Sequence, residues 1–160
     1  MRIMLTPLKA AALAIVLSVS SSAQQAPAPA PASDKITVYR VTTCTCCGKW
    51  MDHLKAAGFT VEEQIVETRD AAPPRKRVPE KLRTCHTAIV GGYVVEGHVP
   101  ANVVKDLLKN KPAVEGISVP GMPAGSPGME SSTPVAYDVI AFDAKGNTSV
   151  FARIDPTAAR

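Results

Sequence analysis

Three of the chain's four cysteines fall within four residues, in the run Val41-Thr42-Thr43-Cys44-Thr45-Cys46-Cys47-Gly48-Lys49-Trp50. The segment before it, Lys35-Ile36-Thr37-Val38-Tyr39-Arg40, alternates as a strand does. The segment after it reads as a helix over 47–57 stopped by Gly58. The three thiols therefore sit on a strand-to-helix turn. There, backbone N–H groups and the positive end of the helix dipole favour thiolate over thiol. A thiolate is both a nucleophile and a soft-metal ligand, and the rest of the sequence has to be read for which of these applies.

The first residues read as an export signal. Arg2 and Lys9 form a basic start, residues 10–19 are apolar without charge, and Ser21-Ser22-Ala23 offers small residues for cleavage after Ala23. The apolar run is too short to span a membrane, and no later stretch is long and apolar enough to do so. The expected organisation is a signal peptide at 1–23, an Ala/Pro-rich linker at 24–34, one domain at 35–152 and a tail at 153–160. Alternating Ala-Pro favours extended polyproline II and builds no core. The mature chain would act in the periplasm, without stable membrane insertion. It carries sixteen basic against fourteen acidic residues, too weak and scattered an excess to argue for nucleic acid. The one basic cluster, Arg75-Lys76-Arg77, follows Pro73-Pro74 and reads as a solvated loop.

Further strands are expected near 60–67, 87–90, 93–96, 137–142 and 149–152. Gly91-Gly92 is a two-residue hairpin signal, and Asp143 to Asn147 reads as a turn. Pro79 to Leu82 reads as one helical turn. Pro100 opens a second helix, whose apolar stripe is Val103, Val104, Leu107 and Leu108. Pro112 stops it, and residues 119–129 form a Gly/Pro loop. The order strand–helix–strand, hairpin, helix implies an α/β protein with a central mixed sheet and flanking helices. A cysteine motif between the first strand and first helix makes a thioredoxin-like fold the closest analogy. By that analogy the turn Arg83-Thr84-Cys85-His86-Thr87 packs against the motif, bringing the fourth cysteine and a histidine to the other three.

Three chemistries compete for these cysteines. Disulfide scaffolding is the ordinary use in a small exported domain. Here, however, bridges between Cys46 and Cys47 or between Cys44 and Cys46 would be strained. Thiol–disulfide exchange fits the Cys-x-x-Cys spacing of Cys44 and Cys47 at a helix start, although Cys46 and Cys85 would compete in it. Metal binding fits three or four converging thiolates beside His86, a soft donor set that selects Cu(I), zinc or iron–sulfur over hard ions. Spacing does not choose between copper and zinc. His98, in Gly97-His98-Val99-Pro100, is either a ligand or a structural residue at the start of the second helix. His53 lies seven residues beyond Cys46, about 10 Å along a helix, which places it outside a shared mononuclear site. Met122 and Met129 suit Cu(I) as thioethers but equally suit a lid packed on the core. Met51 is expected to pack, and Trp50 to cover the back of the first helix.

Five motifs in order make the chain similar to a known family. They are Cys44-Thr45-Cys46-Cys47-Gly48-Lys49-Trp50; Leu54-Lys55-Ala56-Ala57-Gly58-Phe59; Thr84-Cys85-His86-Thr87-Ala88; Gly92-Tyr93-Val94-Val95-Glu96-Gly97-His98-Val99-Pro100; and Val119-Pro120-Gly121-Met122-Pro123 with Gly125-Ser126-Pro127-Gly128-Met129. The chain resembles the CopG-type periplasmic copper-resistance family, a domain of unknown function with a Cys-x-Cys-Cys motif, over residues 36–142. The resemblance implies a thioredoxin-like fold and a copper site, Cu(I) before zinc. It carries over Cys44, Cys46, Cys47 and Cys85 as metal ligands, together with His86 and His98, and the methionine loop as a flank. It also implies a copper-linked redox role. The expected partners are metal ions and other periplasmic copper-handling proteins.

Overall fold

The computed structural model describes residues 34–158; the expected signal peptide and most of the expected linker lie outside the described residues. One mixed sheet contains β1 (Lys35–Arg40), β2 (Thr60–Ile65), β3 (Thr87–Val90), β4 (Tyr93–Glu96), β5 (Gly116–Ser118), β6 (Tyr137–Phe142) and β7 (Thr148–Ile154). Its helices are α1 (Thr45–Ala56), between β1 and β2, and α2 (Ala101–Asn110), between β4 and β5. The strand order is β2-β1-β3-β4-β5-β6-β7. β1 runs parallel to β2, and β4 parallel to β5; the other neighbours are antiparallel.

Alternation along the strands divides the apolar residues between two clusters. Ile36, Val38, Ala88, Val90, Val95, Val139 and Ala141 join Trp50, Met51 and Leu54 of α1 and Val103, Val104, Leu107 and Leu108 of α2 in the main core. Val94 and Phe142 form a smaller cluster with Val78 and Leu82, with Ile89 and Ile140 packed against it. Residues 69–82, largely 3₁₀ turns (Arg69–Ala71, Pro73–Arg77 and Glu80–Leu82), thus contribute to this second cluster. The β3–β4 hairpin turns on Gly91 and Gly92, at φ +54° and +87°. That pair of positive φ values is what a two-residue turn matched to strand twist requires.

Several elements differ from expectation. α1 begins at Thr45 rather than at 47, with Cys44 as its N-cap, so Cys46 and Cys47 lie inside the first helical turn. β5 has no counterpart in the sequence reading: it is three residues long with one large apolar side chain, too short to show a period. A Cβ at Gly116 would collide with the Val94 carbonyl, so only glycine lets β5 approach β4 there. β2 stops at Ile65, short of the expected 67, and β7 runs to Ile154, into the segment expected to be tail.

The largest correction concerns the basic cluster. Arg75 is buried, not solvated. Its Nη1 donates to Glu96 Oε1 at 2.7 Å and to the Thr84 carbonyl at 3.1 Å, and its Nε donates to Asp70 at 2.9 Å. Glu96 is fully buried; it also accepts the Thr84 N–H at Oε1 and the Thr87 hydroxyl at Oε2, both at 2.5 Å. Burial pushes its carboxyl up, and these donors oppose that shift. One ion pair thus brackets the Thr84–Thr87 turn from both ends. Removing one partner of such a pair strands the other's charge. Arg75→Ala is therefore expected to lower the unfolding free energy by about 3 kcal/mol. Urea titration checks this, and a loss below about 1 kcal/mol, the range of an exposed pair, contradicts it.

Candidate metal centre

The fold delivers sulfur from two directions. Cys44 caps α1 but makes no side-chain capping hydrogen bond; its sulfur is bonded instead to Cys47, one helical turn on, with Cα atoms 5.4 Å apart. Of the three pairings open within the motif, the disulfide is the Cys-x-x-Cys one. Cys46 and Cys85 are free, and Cys46 Sγ lies 3.6 Å from Cys44 Sγ. Arg40 fixes the preceding turn by donating to the carbonyls of Val41, Thr42 and Cys44. Cys85 arrives from the turn before β3, which pairs with β1. The sulfurs of Cys44, Cys46, Cys47 and Cys85 all lie within 4.8 Å of one another.

Cys85 also belongs to a second group, because its Sγ and one nitrogen each of His86 and His98 lie within 4.8 Å of one another. His98 Nδ1 is 2.7 Å from the Pro127 carbonyl. A carbonyl only accepts, so Nδ1 carries the proton and the Nε2 lone pair faces Cys85 Sγ at 3.2 Å. That is the orientation a metal-ligating histidine has, held by a partner on its far nitrogen. His86 Nδ1 is 3.2 Å from the same sulfur. The single Cys85 S–H can serve only one of them, so His86 Nδ1–H is a donor to the sulfur. His86 Nε2 is then buried with no hydrogen-bond partner. Its ring rests 4.3 Å from that of Trp50.

Trp50 does not cover the back of α1. It is fully buried beneath the site, and its indole N–H donates to the Val99 carbonyl at 2.8 Å. His53 joins neither group. Its Nε2 accepts the Ala101 N–H at 3.0 Å, so it caps α2 from α1. Met51 packs in the core. Met122 is exposed, so it is no lid on the core. Met122 and Met129, with Lys49 and Glu130, line an opening above Cys46. Gly128 seats this loop. A Cβ there would stand 2.8 Å from the Cys46 carbonyl and 3.0 Å from the Trp50 nitrogen. The Pro127 carbonyl and the Glu96 clamp escaped sequence reading; the one available hint was an acid at the end of an otherwise apolar strand.

Burial sets the protonation of the inner wall. It pushes the Cys85 thiol up to about 12, with the neighbouring Cys46 thiol adding to it. Cys85 lies outside the helix start where a thiolate bias is expected, and a metal ion must displace its proton on binding. Burial holds His86 down at about 3, and also lowers His98 and His53. A histidine with a depressed folded value is neutral in both states above its ordinary 6.5 and adds no pH dependence there. As pH falls, the unfolded chain takes up protons that the fold refuses, at up to about 1.4 kcal/mol per pH unit per histidine. Glu96 shifts the other way and offsets at most one of the three. The metal-free protein is therefore expected to lose stability progressively from pH 6.5 down to about 4.5, and His86→Gln to flatten that fall. Urea midpoints across this range check it; a level profile would contradict the burial of the imidazoles.

The family described as "Protein of unknown function, DUF411" matches residues 82–129. No curated protein matches the chain. Among solved structures, two forms of a copper resistance protein CopG superpose on it. Form 2 is 39% identical, covers 76% of this chain and 98% of its own, and has a TM-score of 0.70. Form 1 is 40% identical, covers 75% and 96%, and has a TM-score of 0.69. Likeness at this identity over nearly the whole of those proteins carries more than a shared fold: the chain belongs to the CopG-type copper-resistance family.

Proposed function

We propose that this protein holds Cu(I) in copper resistance or homeostasis, at a multi-copper thiolate site built from Cys44, Cys46, Cys47 and Cys85 with His86 and His98. The observation that carries the reading is the double membership of Cys85, whose sulfur is shared by the four-thiol group and the Cys–His–His group. A thiolate so placed bridges two ions, which favours more than one copper. Soft sulfur with imidazole suits Cu(I). Zinc would be satisfied by the four thiols alone and would leave the oriented His98 lone pair without a use. The family member solved in those two forms bears the name copper resistance protein, which supports copper over zinc. The strand order β2-β1-β3-β4, with α1 following the first strand, supports a thioredoxin-like core to which β5–β7 are added. The mature protein would work in the periplasm after cleavage at Ala23, exchanging copper with other copper-handling proteins. No helix among the described residues is long and apolar enough to cross a membrane.

The disulfide supports a second, compatible reading as a thiol or copper oxidoreductase. Cys44 and Cys47 hold two electrons' worth of oxidation, and reducing them releases two thiols beside free Cys46 and Cys85. Anaerobic Cu(I) titration of mature protein, read by native mass spectrometry with a competing chelator, tests both. Reduced protein is expected to take up several ions tightly. Cys46→Ser and Cys85→Ser are each expected to lower affinity and stoichiometry, and the oxidised protein to bind fewer ions than the reduced. Unchanged binding in both serine variants would refute the copper site.

A further inference from the structure

Beside Cys85, and sharing Met122 with the opening above Cys46, lies a cleft of about 180 Å³ lined by Arg69, Arg75, Arg83, Thr84, Cys85 and Met122. No acidic side chain lines it. Arg75 is neutralised by Asp70 and Glu96. Arg69 is exposed, and Arg83 commits only its Nε, to the Val78 carbonyl at 3.1 Å. Among the described residues neither has a carboxylate in ion-pair contact. The cleft therefore sets two guanidiniums without a contact ion pair, one of them (Arg83) acting at longer range on Glu96, beside two soft sulfurs, the Cys85 thiol and the Met122 thioether, the latter 53% exposed. The opening above Cys46 differs, since its Lys49 is paired with Glu130 at 3.7 Å.

We propose that this cleft is the docking subsite of a small carboxylate-bearing thiol that delivers Cu(I) to Cys85. The proposal rests on the copper-holding reading. Guanidinium forks match carboxylates in charge and shape, and Arg69 and Arg83 would bind the carrier's carboxylates while its sulfur-bound copper faces Cys85. Phosphate or sulfate would satisfy the arginines but leave both sulfurs unused. Transfer is redox-neutral: the copper–sulfur bond to the carrier breaks, a copper–Sγ bond to Cys85 forms, and the Cys85 thiol proton passes to the departing thiolate.

The test mixes reduced protein anaerobically with Cu(I) complexes of mercaptosuccinate, 2-mercaptoethanol or cysteamine, which are anionic, neutral and cationic respectively. Stopped-flow absorption of the protein's copper–thiolate bands gives the rate, and mass spectrometry of the same samples gives the final stoichiometry. At low ionic strength the mercaptosuccinate complex is expected to deliver copper about tenfold faster than the neutral one, within the range of electrostatic steering. That advantage should vanish in Arg69→Ala/Arg83→Gln, and Arg69→Glu should shift the preference towards cysteamine. Because Arg69 is exposed, Arg69→Glu keeps the test valid if the double variant folds poorly. Equal rates from all three carriers, or a preference that survives both variants, overturns the docking subsite while leaving the copper site standing. Failure of wild-type protein to take copper from any carrier overturns the copper-holding reading and the subsite with it.

Discussion

The Arg75–Glu96 pair is the constraint on which the site depends. Cys85 and His86 lie on a turn between a 3₁₀ segment and β3, and a turn alone would not fix two side chains to within hydrogen-bond distance of a third. Glu96 removes that freedom. One oxygen takes the N–H before Cys85 and the other takes the hydroxyl after His86, while Arg75 holds both the carboxylate and the Thr84 carbonyl. Charge-assisted bonds in a dry interior are short and strong. They also make the arrangement intolerant of partial loss, because any missing member leaves a buried charge or a buried dipole unpaired.

A second set of contacts ties the opposite wall together. Trp50, His98, Pro127 and Gly128 come from α1, the segment before α2, and the Gly/Pro loop. The indole N–H holds the Val99 carbonyl next to His98, and the Pro127 carbonyl chooses which nitrogen of His98 is bare. The close seat of Gly128 against Cys46 and Trp50 lets that carbonyl reach the imidazole. His53 adds a link between the helices by capping α2. Two of the chain's three histidines thus contact Cys85, and the third holds the helix against which the site is built.

Much of this was legible from local pattern. The alternation of residues 35–40, the glycine stop at Gly58 and the Gly91-Gly92 turn place the cysteine motif and the hairpin. The hairpin's neighbour relation to β1 then brings Cys85 towards the motif. What escaped was whatever depends on partners distant in sequence. Arg75 reads as solvated because its neighbours are Pro, Lys and Arg; only the tertiary position of Glu96, 21 residues on, makes it a buried cation. Trp50 reads as a cover because helical periodicity gives a face but not what lies opposite it. β5 is a strand because β4 and β6 flank it, not because Gly-Ile-Ser favours one. The thiolate bias expected of a helix start concerns Cys44, Cys46 and Cys47 alone; Cys85 arrives from another element and is governed by desolvation.

The Cys44–Cys47 bridge closes a loop of only three residues' separation. Constraining so short a segment restricts the unfolded chain little, on the order of 2 kcal/mol in a loop-entropy treatment. Cys44 and Cys47 also sit with Cys85 in a small cluster of their own, apart from the main core. Opening the pair would remove a loop constraint of that size and leave in place the main core's own contacts, which include neither cysteine: the geometry is that of a valve and not of a staple.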